Sequence, residues 1–279
     1  MRMVIDSNFL KDDALRDFLS KSRKNEVVIT DYVMIEALKD DPLNKIFGLM
    51  KILRQYPNQV VVLKSMRSLT ALKGRRCGMT RRMIEPGQTK GFAAWCGRLD
   101  NAEAGDEESR KQLVGAGNEA TEQMSRIITA QSKYAETIED EAKHYTADEL
   151  QILRTDQPYT PEMLDKIAER VVSLTIKFFE QHPDQMKMPT AWELPYTFMF
   201  RFALCAYLQT LRRIRDGGVK DVKADKIAND IVDAAFAAHA TYFQGLLSKD
   251  AKANELYRNA KHVLKGFPVS PDKLRKLPH

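Results

Sequence analysis

Strand-forming residues are concentrated in a few places along this chain, and that constrains its fold more than any other feature. Three short β-branched runs fall within the first 66 residues: "MVI" ahead of Asp6, "EVVIT" at 26–30 and "QVVVLKS" at 59–65. Helical patterns separate them. "KDDALRDFLSKSRKN" (11–25) is charged and amphipathic, "DYVMIEALK" (31–39) begins at a capping residue, Thr30 or Asp31, and "PLNKIFGLMKILRQY" (42–56) follows. Strand, helix, strand, helix, strand at these lengths predicts a parallel sheet with crossover helices.

From about residue 66 to 189 the β-like runs stop. "EATEQMSRIITAQSKYAETIEDEAKHYTADELQIL" has helical spacing, too irregular in its heptads for a coiled coil. "TPEMLDKIAERVVSLTIKFFEQH" opens with Thr160 as N-cap, Pro161 at the first helical position and Glu162 behind it. Leu164, Ile167, Val171, Leu174 and Phe178 then recur at three- and four-residue steps. The strand signal returns only in "FQGLLSKD" (243–250) and in "KHVLKGF" (261–267). "IRDGGVKDVKAD" (214–225) reads as a loop into the Ala-rich helix "NDIVDAAFAAHA". The expected organisation is therefore a core split in sequence. Residues 1–66 form its first half, 67–189 a helical insertion with a basic, glycine-containing loop, and 190–279 its second half.

Composition removes several classes. Hydrophobic residues at 43% and charged residues at 29% are globular proportions and argue against wholesale disorder. Cys77, Cys96 and Cys205 are widely spaced, with no CxxC pair and no histidine close by, which argues against a disulfide framework or structural zinc and for a reducing interior. "MRMVIDSNFL" lacks the apolar run of a signal peptide, and "FMFRFALCAYLQTL" (198–211) is too short for a bilayer and contains Arg201. The expectation is a cytoplasmic protein with no membrane association, whose net charge of +6 suits a polyanionic partner.

Open parallel sheets keep their working residues at the carboxyl ends of strands and the adjoining helix starts. Asp6 follows the first strand, Glu36 lies in the helix after the second, Asp230 and Asp233 lie early in the Ala-rich helix at i,i+3, and Asp250 follows "GLLS". Gathered at one edge they repel. Two unit charges about 4 Å apart cost about 4 kcal/mol at an effective dielectric near 20, so such a set calls for a cation. Oxygen-only ligation suits a hard ion, Mg²⁺ or Mn²⁺, and the chemistry such ions serve is phosphoryl transfer. Complementing a helix N-terminus is the plainer role for Asp230 and Asp233, and capping for Asp250.

These residues resemble a family. "MVIDSNFL" resembles the opening motif of PIN domains, an Asp ending the first strand with a small hydroxyl residue and Asn behind it, here Asp6, Ser7 and Asn8. "VVITDYVMIEAL" is similar to the second motif and maps its acid to Glu36. "DAAFAAHATYFQGLLSKD" is similar to the third and fourth together and maps their acids to Asp233 and Asp250, while "NDIVD" resembles variants that add Asp230. The resemblance covers roughly 1–66 and 190–270, and the insertion of over 100 residues departs from compact PIN toxins. It implies a PIN-like three-layer α/β/α fold and a metal-dependent endoribonuclease, in toxin, defence or RNA-processing settings. Asp6, Glu36, Asp233 and Asp250, with Asp230 nearby, would bind one or two Mg²⁺ or Mn²⁺ ions for in-line attack of water on a phosphodiester. Ser7 and Asn8 would hydrogen-bond around the first carboxylate. A structure-specific DNA nuclease and a non-catalytic interaction module are the rival readings. The insertion offers a surface for a protein partner or inhibitor, and homodimers are common among such proteins.

Residues 64–98 hold nine basic side chains and one acidic one, Glu85. Lys64, Arg67, Arg75, Arg76, Arg81 and Arg82 lead the set. With five glycines among them the stretch reads as a mobile phosphate-binding flap, Phe92 and Trp95 being free to stack on unpaired bases of RNA, or of DNA. His239 reads as a packed helix histidine. Lys226 and Lys249 neighbour the acids, and Arg201 is expected to pair with an acid or line the cleft.

Overall fold

The structure is a computed structural model that describes residues 1–74, 76–130, 134–155, 157, 159–217 and 224–266. Among these residues four strands form one all-parallel sheet: β1 (Arg2–Ile5), β2 (Glu26–Ile29), β3 (Val60–Val62) and, far later in sequence, β4 (Gly245–Leu247). Their order is β3-β2-β1-β4. Val4 registers with Val28 on one side and Leu246 on the other, and Val28 with Val61. Valine and isoleucine fill successive positions rather than alternate ones, as strands covered on both faces require, and Val4, Ile5, Val27, Val28 and Ile29 are fully buried.

The chain winds outward from β1 through α1 (Asp13–Ser20) to β2, then through α2 (Asp31–Leu38) and α3 (Pro42–Met50) to β3. Each of these helices has a cap written into its sequence. Asp12 accepts from the Ala14 amide, Thr30 from Val33 and Asp41 from Asn44, with Pro42 at the first turn of α3.

The expected flap is mostly helical. It contains α4 (Met66–Thr70), α5 (Thr80–Met83) and the first half of α6 (Pro86–Glu103). Both ends are pinned to the sheet: the Lys64 amide donates to Met83, the Glu85 amide to Val62, and Leu63 pairs antiparallel with Ile84. Phe92, read from sequence as free to stack, is 4% exposed, because glycines 87 and 91 sit on α6 itself and its apolar face packs inward.

The helical stretch continues with α7 (Glu107–Ala130), α8 (Tyr134–Ala142), α9 (Ala147–Arg154) and α10 (Pro161–Glu180), the last capped by Thr160 with Pro161 behind it. These helices share the protein's main core. α7 lies against α2 and α3, and α8, α9 and α10 lie against α11 (Phe198–Arg215). Buried side chains from the sheet and from α10 belong to one continuous cluster.

α12 (Ala224–Ala240) precedes β4, and α13 (Ala251–Gly266) follows it. Two sequence expectations change here. "KHVLKGF" is no strand: its residues 261–266 are the end of α13, whose apolar positions recur with helical period. And α12 starts at Ala224, so Asp230 lies in its second turn and Asp233 in its third, past the first turn where the partial charge of the N-terminus acts. Residues 218–223 of the expected loop before it lie outside the described residues. Among the described residues no helix is long and apolar enough to cross a membrane, and all three cysteines are free and buried.

Candidate functional site

The strand order itself selects a place. Crossovers run one way from β1 to β2 and β3, and the last strand, β4, lies on the opposite side of β1. In open parallel sheets such a reversal leaves a crevice at the carboxyl ends of the two strands concerned. Asp6 stands at the end of β1, and Ser248, Lys249 and Asp250 stand at the end of β4. The two loops are joined at once, with the Asp6 amide donating to the Leu247 carbonyl at 2.9 Å.

Asp6 is 5% exposed, and its carboxylate is held on all sides. Oδ2 accepts from Asn8 Nδ2 and from Ser248 Oγ, each at 2.6 Å, and Oδ1 accepts from Ser7 Oγ at 3.4 Å. Ser7 Oγ also lies 2.5 Å from Glu36 Oε2, so one hydroxyl bridges the first carboxylate to the second. Asn8 uses its carbonyl oxygen to accept the Lys249 amide at 2.9 Å. Ser7 and Asn8 thus have the supporting contacts expected of them. Ser248 has a matching one that sequence reading passed over, although its place two residues before Asp250 was the available signal.

Glu36 reaches the edge because Thr30 caps α2 and starts the helix directly after β2. Burial pushes its carboxyl up, the Ser7 hydroxyl draws it down, and Asp6 pushes it up again. Burial likewise raises Asp6 against the lowering effect of hydrogen bonds from Ser248, Asn8 and Ser7. Asp233 is the most perturbed of the set. Its carboxyl is pushed up to about 8, first by burial, then by the charges of Asp250, Asp6 and Asp230, with only Arg212 opposing. No hydrogen bond from a described residue relieves it. Asp250 combines two roles: it caps α13, Oδ1 accepting from the Lys252 amide at 2.7 Å and the Ala253 amide at 3.4 Å, and it adds its charge at Asp233.

Asp230 is one turn back and differently engaged. At 4% exposure it accepts from Gln209 Nε2 at 2.6 Å, from Arg213 Nε, and from Arg212 Nη2 at 3.4 Å. Two arginines of α11 therefore take this carboxylate, whereas Asp233 has none to itself. Sequence spacing left the two acids equivalent; helix packing separates them.

Other expected participants lie as follows. Arg67 pairs with Asp184, and Arg82 donates to the Lys73 carbonyl at 2.9 Å. Arg76 and Arg81 are exposed, Lys64 is half-buried at the end of β3, and Arg75 lies outside the described residues. Arg201 pairs with no acid among the described residues. It donates to the carbonyls of Pro195 and Thr241 and lies 3.7 Å over the Tyr242 ring, because the end of α12 presents oxygens and an aromatic face there. Lys249 pairs with Asp12 at 2.9 Å instead of with the clustered acids, and Lys226 is exposed on α12. His239 is fully buried, its Nδ1 2.6 Å from the Ala235 carbonyl and its ring 4.5 Å from that of Phe198, as a packed histidine should be.

Asp6, Glu36 and Asp250 therefore lie at one sheet edge, linked through the Ser7 and Ser248 hydroxyls, and Asp233 lies near enough for the charges of Asp250 and Asp6 to act on it. Among the described residues no three Asp, Glu, His or Cys side chains are arranged as the ligands of one ion. The donor set nevertheless fits a hard divalent cation. It is oxygen-only, it has an excess of negative charge, and its most perturbed member accepts no hydrogen bond from a described residue. No protein-family model, curated protein or solved structure matches this chain significantly.

Proposed function

We propose that this protein is a PIN-like, divalent-metal-dependent endoribonuclease of three-layer α/β/α type. The observation that carries the reading is the meeting of Asp6, Glu36, Asp233 and Asp250 at the reversal point of the sheet, from four segments up to 244 residues apart in the chain. Helix capping does not account for Asp6, Glu36 or Asp233, and placing three or four carboxylates together against their own repulsion needs a function to explain it.

Asp6, Glu36, Asp233 and Asp250 would hold Mg²⁺ or Mn²⁺. Bound there, the ion supplies Lewis-acid activation of water and stabilises charge developing on a phosphodiester. The chain's own groups do the rest. Ser7, Asn8 and Ser248 keep the Asp6 carboxylate in one orientation, and Ser7 couples it to Glu36. Asp230, occupied by Arg212 and Arg213, anchors α12 to α11 and so fixes where Asp233 stands. Exposed Arg76 and Arg81 provide phosphate contacts for the strand.

The test is incubation of the pure protein with labelled single-stranded RNA, and with a matched DNA, in Mn²⁺ and in excess EDTA. Metal-dependent cleavage of RNA, absent in Asp6→Asn and Asp250→Asn proteins that still fold, is the expected result. Cleavage of DNA alone would move the activity to the DNA nucleases. Absence of cleavage together with absence of calorimetric Mn²⁺ binding would leave a non-catalytic module.

A further inference from the structure

Along the same sheet edge, beyond β2, an open cavity of about 370 Å³ lies between α2, the ends of β2 and β3, and α6. Ile29, Val62 and Met34 line one side, Phe92 and Trp95 the other, and among the described residues Arg98 is the one charged side chain in its lining. Its size falls within the range of small-molecule sites, which are apolar with a few placed polar groups.

α6 presents Gly87 and Gly91 to the cavity, one turn apart. Glycine inside a helix weakens the helix. Here nothing in the packing asks for it at residue 91, since a Cβ added to Gly91 would meet no atom within 4 Å and its φ is ordinary. What that glycine leaves is open space beside an aromatic ring. Trp95 is half-buried and rests on Phe92, ring centroids 5.3 Å apart, and it lines the opening.

Charge identifies the occupant. Arg98 lines the opening, and Lys90 is exposed on the same helix. Of the acids on or beside this helix, Asp100 and Glu103 are taken by Arg54, and Glu85 accepts from the Gly87 amide as the cap of its first turn. A flat apolar group carrying a negative charge matches this combination, and an aromatic peptide side chain lacks the charge. Neighbouring strands are about 4.8 Å apart, so the ends of β2 and β3 stand roughly 5–10 Å from Asp6 along the edge, the span of one or two nucleotides.

We infer that the cavity is a base-binding subsite, taking one unpaired base of the strand whose phosphate lies at the acidic edge. The base stacks on Trp95, and Arg98 meets the adjoining phosphate. The inference rests on the reading of the substrate as single-stranded RNA, and its test does not require cleavage.

The chain has two tryptophans, and Trp192 is 55% exposed. In a Trp192→Phe protein Trp95 is the sole source of tryptophan emission. Titration with an oligouridylate octamer in EDTA is expected to quench that emission with saturation, and an octamer of baseless ribose phosphates is expected to leave it unchanged. Gly91→Leu, which fills the cavity without a backbone penalty, is expected to weaken oligouridylate binding about tenfold or more while the melting temperature holds. Arg98→Glu is expected to weaken it and flatten its salt dependence. Equal quenching by the baseless chain, or unchanged affinity in Gly91→Leu, would overturn the subsite. Stronger displacement by N-acetylphenylalaninamide than by uridine would do the same and assign the cavity to a protein side chain. Metal-dependent RNA cleavage with no base-dependent quenching would sink the subsite alone, whereas quenching without any cleavage would sink the nuclease reading alone.

Discussion

Replacing Asp233 by asparagine should make the metal-free protein more stable, the opposite of what removing a buried ionic group usually does. The Asp233 carboxyl stands near 8 in the folded chain against 3.8 when free. Between those values the folded chain keeps a proton that the unfolded chain releases, so stability falls as pH rises through this window and levels off above about 8. Asp6 and Glu36 are shifted in the same direction and add to the slope. At about 1.4 kcal/mol per pH unit, the three units between 3.8 and pH 7 set a ceiling of about 4 kcal/mol for Asp233 alone. Its side chain retains some contact with solvent, which screens the repulsion and brings the expected effect to about 2 kcal/mol. For a chain of this size that raises the melting temperature by roughly 4–8 °C. The assay is thermal or urea unfolding of both proteins in EDTA at pH 5 and pH 8. Wild type should be less stable at pH 8 than at pH 5. Asp233→Asn should show a shallower slope and exceed wild type at pH 8. Excess Mn²⁺ should stabilise wild type and leave the variant nearly unmoved. A variant less stable than wild type at pH 8, or one with the same pH slope, would refute the crowding of carboxylates from which the site is argued.

Asp230→Asn should behave in the contrary way. It leaves Arg212 and Arg213 without their shared counter-charge and costs about 3–5 kcal/mol, measurable by urea unfolding; a loss below about 1 kcal/mol would mean the two arginines find other partners. Ser7→Ala removes the hydroxyl between Asp6 and Glu36 and should lower Mn²⁺ affinity about 10–100-fold by calorimetry with the melting temperature little changed. Gly117→Ala places a Cβ 2.6 Å from Pro42 Cγ and 3.1 Å from the Leu38 carbonyl oxygen, where α7 lies against α2 and α3. It should destabilise by about 1–3 kcal/mol, and an unchanged denaturation midpoint would show that the long helix is not seated there.

Local signals carried much of this protein. β-branched runs bounded by capping residues mark β1, β2 and β3, because a strand covered on both faces needs little beyond apolar, branched side chains in succession. Thr30 and Thr160 announce their helices, because a cap is a contact between residues two or three apart. The positions of Asp6, Glu36 and Asp250 at the ends of strands or the starts of helices were legible for the same reason. Tertiary structure decided what depends on a neighbour distant in sequence. It gave Asp230 to two arginines of α11 and left Asp233 crowded by acids, although both stand on one helix three residues apart. It turned Phe92 inward and left Trp95 beside an open cavity, although both lie in one glycine-punctuated basic stretch. It also brought Ser248 to Asp6 across 242 residues. Hydrophobic periodicity and capping act within a few residues and can be read along the chain, whereas the energy of a charge depends on every dipole and charge around it and exists only once the chain has folded.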